Sequence, residues 1–398
     1  MKELSKIASA IAPSSTLAIN SLYKAMKAEG KDALGFSVGE PDFHTPDHIK
    51  AAGIRAIEEN KTYYTAAAGM PELKEAICYR LKEDCGVVYQ PNEIAVASGA
   101  KHSIFIALQC LLNPGDEVIL PAPYWVSYIE MIRMGGGVPV VIETTHEDDF
   151  KITPEKLEAA ITDKTKAFII NTPSNPTGMI YSKEELKALA DVCVAHDLYI
   201  ISDEIYYRLV YDQRTFTSVA SLGEEIKAHT ILVNGVSKAY AMTGWRIGYS
   251  AAPAEITKVM SSYVGHSTAA PSTISQVAAI EAFRGPQDSI GMMRKAFEER
   301  RDYMVKKINE IPQVSCLKPE GAFYVMMNLD KILGHTIRGH HIENSADFAS
   351  AFLEEEMVAT VPGNAFGADR YIRWSYATDM DTIHRGLDRL ERFVADME

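Results

Sequence analysis

The sequence predicts an α/β protein in two parts: a large, mainly parallel α/β/α domain and a smaller α+β domain. Three observations predict this. The chain has 398 residues, beyond the ~250–300 at which a single core stops growing. From Asn92 to Tyr249, short apolar runs alternate with helical patterns, as in a parallel sheet wrapped by helices. After Gly285-Pro286 the texture changes to one long charged helical run followed by separated strands. Strands are expected at Glu93–Ala97, Glu117–Leu120, Ala167–Ile170, Leu198–Ser202, Thr230–Val233 and Arg246–Ser250. Helices are expected at Ile104–Leu112, Pro154–Ile161 and Lys183–His196, the last opened by a capping box of Ser182 and Glu185. Beyond the junction come the helix Met292–Ile311, strands Ala322–Asn328, Val358–Val361 and Tyr371–Ser375, and a closing amphipathic helix Met380–Met397. The expected division is 46–290 for the large domain and 291–398 for the small one, with 1–45 packing against the small one.

Composition narrows the function. Hydrophobic residues make up 47% and charged residues 23%, ordinary for a globular protein, and no apolar run approaches the ~20 residues that span a bilayer. The start, Met1-Lys2-Glu3, leads to Pro13-Ser14-Ser15-Thr16 rather than an apolar core, so it does not read as a secretory signal. Five cysteines without a C-x-x-C pair argue against a disulfide framework or zinc knuckle and fit a reducing cytoplasm. A net charge of −13 disfavours nucleic acid and anionic lipid as partners. Small-molecule chemistry is the expectation.

Four expected strand ends carry the residues for it. Val236-Ser237-Lys238 leads to Thr243-Gly244-Trp245-Arg246 after an apolar strand. A lone loop lysine is usually a solvated surface group, but a desolvated one beside a cation has a lowered pKa and attacks aldehydes. Ser237 and Arg246 offer phosphate a hydroxyl and a two-pronged cation. Asp203 closes another strand; a buried carboxylate there needs a partner, and a protonated ring nitrogen is one. It could instead cap a helix. Tyr206 reaches a ring hydroxyl if the chain turns, or simply packs. Asn175, fixed before Pro176, lies in a turn-rich loop, and Ser98-Gly99-Ala100-Lys101 opens a helix whose free amides seat an anion. Open α/β sheets bind ligands at this edge.

The ordered set Gly39-Glu40-Pro41-Asp42, Tyr63-Tyr64, Pro123-Tyr124-Trp125, Asn175-Pro176-Thr177-Gly178, Asp203-Glu204-Ile205-Tyr206, Ser237-Lys238, Arg246 and Arg373 resembles the fold-type I pyridoxal-phosphate aminotransferases of the aspartate aminotransferase family, over nearly the whole chain. The resemblance implies pyridoxal 5'-phosphate held on Lys238, with Asp203 at its ring nitrogen, Asn175 and Tyr206 at its ring oxygen and Trp125 stacked on the ring. It also implies that Ala100, Lys101, Ser237 and Arg246 hold the phosphate, joined by Tyr64 from a second subunit of a homodimer. Arg373 and Gly39, with Trp125 and Asn175, would bind the substrate. In the bacterial subgroup most similar to this chain, Lys101 and Thr16 receive a distal carboxylate, so the implied reaction is a ping-pong exchange of an amino group between aspartate or glutamate and 2-oxoglutarate or oxaloacetate. Alternatives are aromatic, alanine or prephenate specificity, or carbon-sulfur lyase chemistry. Prephenate is weakened by Ala12, which stands where prephenate-accepting relatives tend to carry a base. Two departures stand out: Gly235 replaces the family's usual serine three residues before the lysine, and Gly334–His341 matches no motif. His340, His341 and Glu343 could bind a metal, but a solvated loop is the simpler expectation.

Overall fold

A computed structural model describes residues 2–13 and 15–398, with the side chains at 15–17 left aside. The helices are α1 (Lys6–Ala10), α2 (Ser15–Ala28), α3 (Asp47–Glu58), α4 (Pro71–Cys85), α5 (Ala100–Leu111), α6 (Ser127–Met134), α7 (Pro154–Ala160), α8 (Lys183–Ala195), α9 (Glu224–His229), α10 (Ala254–Ser267), α11 (Thr273–Arg284), α12 (Asp288–Glu310), α13 (Ser345–Glu356) and α14 (Met380–Ala395). After the short strand β1 (Leu34–Gly35) come β2 (Ile94–Ala97), β3 (Glu117–Ala122), β4 (Val138–Glu143), β5 (Thr165–Asn171), β6 (Tyr199–Asp203), β7 (Thr230–Gly235) and β8 (Gly248–Ala251). These seven form one sheet in the order β2-β8-β7-β6-β5-β3-β4.

Alternation along the strands builds the layers. Ile169 and Ile201 face one side with Ile104 and Leu108 of α5, Ile132 of α6 and Met260 of α10. Phe168, Ile170 and Ile200 face the other with Leu157 of α7 and Leu186 and Leu189 of α8. Strands buried on both faces read as nearly continuous apolar runs, as parallel sheets require. Helix ends follow local rules: Ser182 and Glu185 exchange capping bonds at α8, and Pro71 opens α4 while left-handed Gly86 ends it.

The rest of the chain adds β9 (Ser315–Cys316), β10 (Tyr324–Asn328), β11 (Thr336–Ile337), β12 (His340–His341), β13 (Val358–Ala359), β14 (Val361–Pro362) and β15 (Tyr371–Ser375). An antiparallel sheet β14-β15-β10-β9 packs Val325, Met327 and Trp374 against Phe297, Phe352 and Leu390. The same core takes in Leu34 and Phe36 from the amino-terminal side, and β1 pairs with β13.

The central sheet is mainly parallel, as expected, with β8 running antiparallel to both β7 and β2. Other expectations are corrected. Arg246 does not begin that strand: it sits at φ 56°, in the left-handed region, two residues before Gly248. Val358–Val361 is two strands, one pairing with β1 and one with β15. Edge strand β4 escaped notice because Pro139 and partial exposure blur its pattern. The Gly334–His341 stretch is a small hairpin in which His340 meets Glu355 at 3.1 Å; among the described residues no cluster could hold a metal. Nor, among them, is any helix long and apolar enough to cross a membrane.

Candidate active site

Strand direction gathers the site. β2, β5, β6 and β7 run parallel, so their carboxyl ends share one edge with the start of antiparallel β8. A cavity of about 330 Å³ opens there, lined by Gly39, Ala100, Lys101, Trp125 and Asn175, by Asp203, Tyr206, Ser237 and Lys238, and by Arg246 and Arg373. Tyr64, also expected here, is 94% exposed and does not line this cavity in its own chain. The Thr16 side chain falls outside the described residues.

Lys238 is half-buried, and its Nζ donates to the carbonyl oxygen of Gly39 at 2.5 Å. Burial, helped by Arg246 and Arg373 and opposed by Glu40 and Asp203, lowers its pKa to about 8. Asp203 points from the end of β6 into the cavity, and Glu204 points away to Ser202 and Ser218. Burial raises the Asp203 pKa to about 6, against the Tyr128 hydroxyl, the Ile205 N–H and Lys238. Tyr128 donates to its Oδ2 at 2.6 Å.

Two further cations line the cavity. Arg373 is 2% exposed, donates to Asn175 Oδ1 at 3.0 Å and to the Ser37 carbonyl at 2.7 Å, and keeps a buried Nε without a partner among the described residues. No carboxylate among those residues pairs with it, although an unpaired buried cation is costly. An incoming carboxylate would relieve that cost. Lys101 reaches over the Trp125 ring at 4.8 Å; the surrounding protein and then Arg246 lower its pKa below the ordinary lysine value.

At the amino end of α5, Gly99 takes φ 94°, and a Cβ there would lie 2.3 Å from the Arg246 guanidinium. Arg246 is pinned by the carbonyls of Thr243 and Ser98 at 2.8 and 3.1 Å, so a cation sits beside the first amides of a helix, an anion seat. Gly235 is explained by close strand packing. It faces Gly248 across β7 and β8, and a Cβ at 235 would come within 2.8 Å of the Ile247 carbonyl. A serine has no room there, and Ser237 and Arg246 remain as polar groups on that side. A cavity of this volume, with an anion seat, a buried acid, a half-buried amine and two further cations, fits a phosphorylated aromatic aldehyde.

Sequence reasoning missed Tyr128, Tyr324, Ser37 and Asn171, all of which line the cavity. Asn171 accepts from the Asn175 N–H at 2.7 Å and donates to the Asp203 carbonyl at 2.9 Å. Its place at the end of an apolar strand could have flagged it. Nothing local marks Tyr324.

Comparison with known proteins agrees with this geometry. The family described as "Aminotransferase class I and II" matches residues 31–390. The chain is 48% identical to an aspartate aminotransferase of Geobacillus stearothermophilus over 98% of this chain and 99% of the relative. It is 46% identical to an aspartate/prephenate aminotransferase of Cereibacter sphaeroides over the full length of both. The structure of Thermus thermophilus aspartate aminotransferase with maleate superposes with a TM-score of 0.93 at 41% identity, covering 99% of this chain and 100% of that one. The fold is thus the expected fold-type I arrangement. With a half-buried amine, a buried acid and an anion seat at one sheet edge, the chain belongs to the class I and II aminotransferases, pyridoxal 5'-phosphate-dependent enzymes that act on amino and 2-oxo acids.

Proposed function

We propose that this chain is an aspartate aminotransferase, exchanging the amino group of aspartate or glutamate with oxaloacetate or 2-oxoglutarate by a ping-pong mechanism. The observation that carries this reading is the pair of cations lining one cavity, Arg373 buried without a carboxylate partner among the described residues and Lys101 over Trp125. They suit the two carboxylates of a C4 or C5 dicarboxylate. The names of the relatives given above support it.

When bound, pyridoxal phosphate supplies an aldehyde for the donor amine and a ring that draws electrons from the α-carbon. Lys238 Nζ would hold that aldehyde and, once displaced, take the proton from the substrate Cα as general base, a role its lowered pKa suits. Asp203, steadied by Tyr128, would keep the ring nitrogen protonated. Asn175 and Tyr206 would donate to the ring oxygen, and Trp125 would cover the ring. The Ala100 and Lys101 amides, Ser237 and Arg246 would hold the phosphate. Arg373, with the Gly39 backbone and Asn175, would grip the α-carboxylate, and Lys101 the distal one, with Thr16 assisting.

The same reading makes the enzyme a cytoplasmic homodimer with Tyr64 completing the partner's phosphate site. Exposed aromatics at Tyr63 (80%) and Tyr64 (94%) support the contact, and five free cysteines support the compartment. The division at 46–290 and 291–398, with 1–45 attached to the latter, is part of the proposal; the pairing of β1 with β13 favours it.

The test is a panel of amino donors with 2-oxoglutarate. Aspartate and glutamate should lead in kcat/KM. Preference for alanine, phenylalanine or prephenate partners would overturn the specificity, and pyruvate with ammonia from cystathionine, without any acceptor, would replace transfer by lyase chemistry.

A further inference from the structure

The hydroxyls of Tyr206 and Tyr324 lie 2.9 Å apart, with the rings edge-on at 5.8 Å between centroids. Both residues are buried and both line the cavity. Tyr324 opens β10 and pairs with Ser375 of β15, two residues from Arg373. The Arg373 guanidinium lies over its ring at 4.5 Å, and its hydroxyl comes so near Gly39 that a Cβ there would be 2.9 Å away. One phenol therefore touches the ring-oxygen donor, the carboxylate-binding cation and the backbone that accepts from Lys238.

Packing alone does not require a hydroxyl at this position. Phe323, next in chain, already meets the Tyr206 ring edge-on at 5.4 Å. A buried hydroxyl costs free energy unless it is bonded, and here Tyr206 is its hydrogen-bonded partner. Burial raises the pKa of both phenols, so both keep their protons; Arg373 opposes the rise at both, while the hydrogen bond between them adds to it at Tyr206 and opposes it at Tyr324. The more acidic phenol is the better donor. If Tyr324 donates, the Tyr206 proton is free to point into the cavity; if Tyr206 donated, it would have none to offer.

We propose that Tyr324 is a positioning residue that acts through Tyr206: its hydroxyl donates to the Tyr206 oxygen, aims the Tyr206 O–H at the coenzyme's ring oxygen and makes it a stronger donor. The inference rests on the reading of Tyr206 as that oxygen's donor. Hydrogen-bond chains polarise one another, strengthening each bond by roughly 10–30%.

The test is a pH titration of the coenzyme's visible absorbance in the loaded wild-type enzyme, Tyr324→Phe, Tyr206→Phe and the double variant, with thermal melting as the check on folding. Losing a donor destabilises negative charge on the ring oxygen, so the coenzyme keeps its proton to higher pH and the midpoint rises. Tyr206→Phe should raise it by about one unit or more, and Tyr324→Phe by about 0.3 unit. The double variant should match Tyr206→Phe, because a residue acting through another adds nothing once that one is gone. A Tyr324→Phe midpoint equal to wild type, beside a shifted Tyr206→Phe, overturns the proposal, as do additive shifts. A raised KM with an unmoved midpoint would assign the hydroxyl to the substrate and overturn it equally. An unmoved midpoint in Tyr206→Phe defeats the underlying reading of Tyr206 and the inference with it.

Discussion

Replacing Asp203 by asparagine should stabilise the coenzyme-free protein while disabling the enzyme. In the folded chain, burial lifts this carboxyl from 3.8 to about 6 despite the Tyr128 and Ile205 hydrogen bonds. At ~1.36 kcal/mol per unit, keeping it ionised costs the fold roughly 3 kcal/mol. The folded pKa is raised, so the folded state binds the proton more tightly. The cost is absent below about pH 4, grows between about pH 4 and 6, and is complete above that. Asparagine removes the charge yet keeps the shape: its oxygen can accept from the Ile205 N–H, and its amide can donate to a rotated Tyr128 hydroxyl. For a chain of this length, about 3 kcal/mol corresponds to a Tm gain of about 4 °C. Calorimetry of coenzyme-free wild type and Asp203→Asn at pH 4.5 and 7.5 measures it. The gain should be small at the lower pH and full at the higher, while turnover of the loaded variant falls by about 10²–10³-fold or more. An equal Tm difference at both pH values, or wild-type turnover, would refute the reasoning.

In the coenzyme-free protein, the Lys238 amine is free base only above its lowered pKa. Reductive trapping of pyridoxal on it should rise with pH to a midpoint of about 8; a midpoint near that of ordinary lysines would show that burial does not activate it. Lys101→Ala removes the cation over Trp125 and should lower kcat/KM for aspartate and glutamate by about 10- to 100-fold, the worth of a charge-assisted bond. An equal loss for alanine or phenylalanine would count against the distal-carboxylate role. Gly248→Ala drives a Cβ to 2.2 Å from the Ala100 nitrogen. By overpacking it should cost about 1–3 kcal/mol in stability and weaken coenzyme retention in equilibrium dialysis, because the α5 amides shift. Unchanged melting and retention would show that the helix start is not held as described.

Strand positions in the central sheet were legible because a strand buried on both faces is apolar throughout. The residues at or just beyond the ends of such strands, Asp203, Lys238, Asn175 and Ala100, were legible because polar groups at a buried edge need a reason. Arg246 was recognised but assigned to a strand, because the left-handed turn that aims it leaves no sign in residue type. Tyr324 and Tyr128 stayed hidden for a different reason. An aromatic in an apolar run reads as core, and only the hydroxyl partner 118 or 75 positions away distinguishes it.

By itself, the chain's order of residues determines the layers, the sheet edge that carries the chemistry and the acid, amine and cations available there. These depend on periodicity and local chemistry, which act over a few residues. Tertiary structure alone decides the antiparallel turn of β8 that brings Arg246 to the helix start, the burial that moves Lys238 and Asp203 toward one another in acidity, and the tyrosine pairs behind them. Desolvation and hydrogen bonding between distant segments do not exist until the fold closes over them.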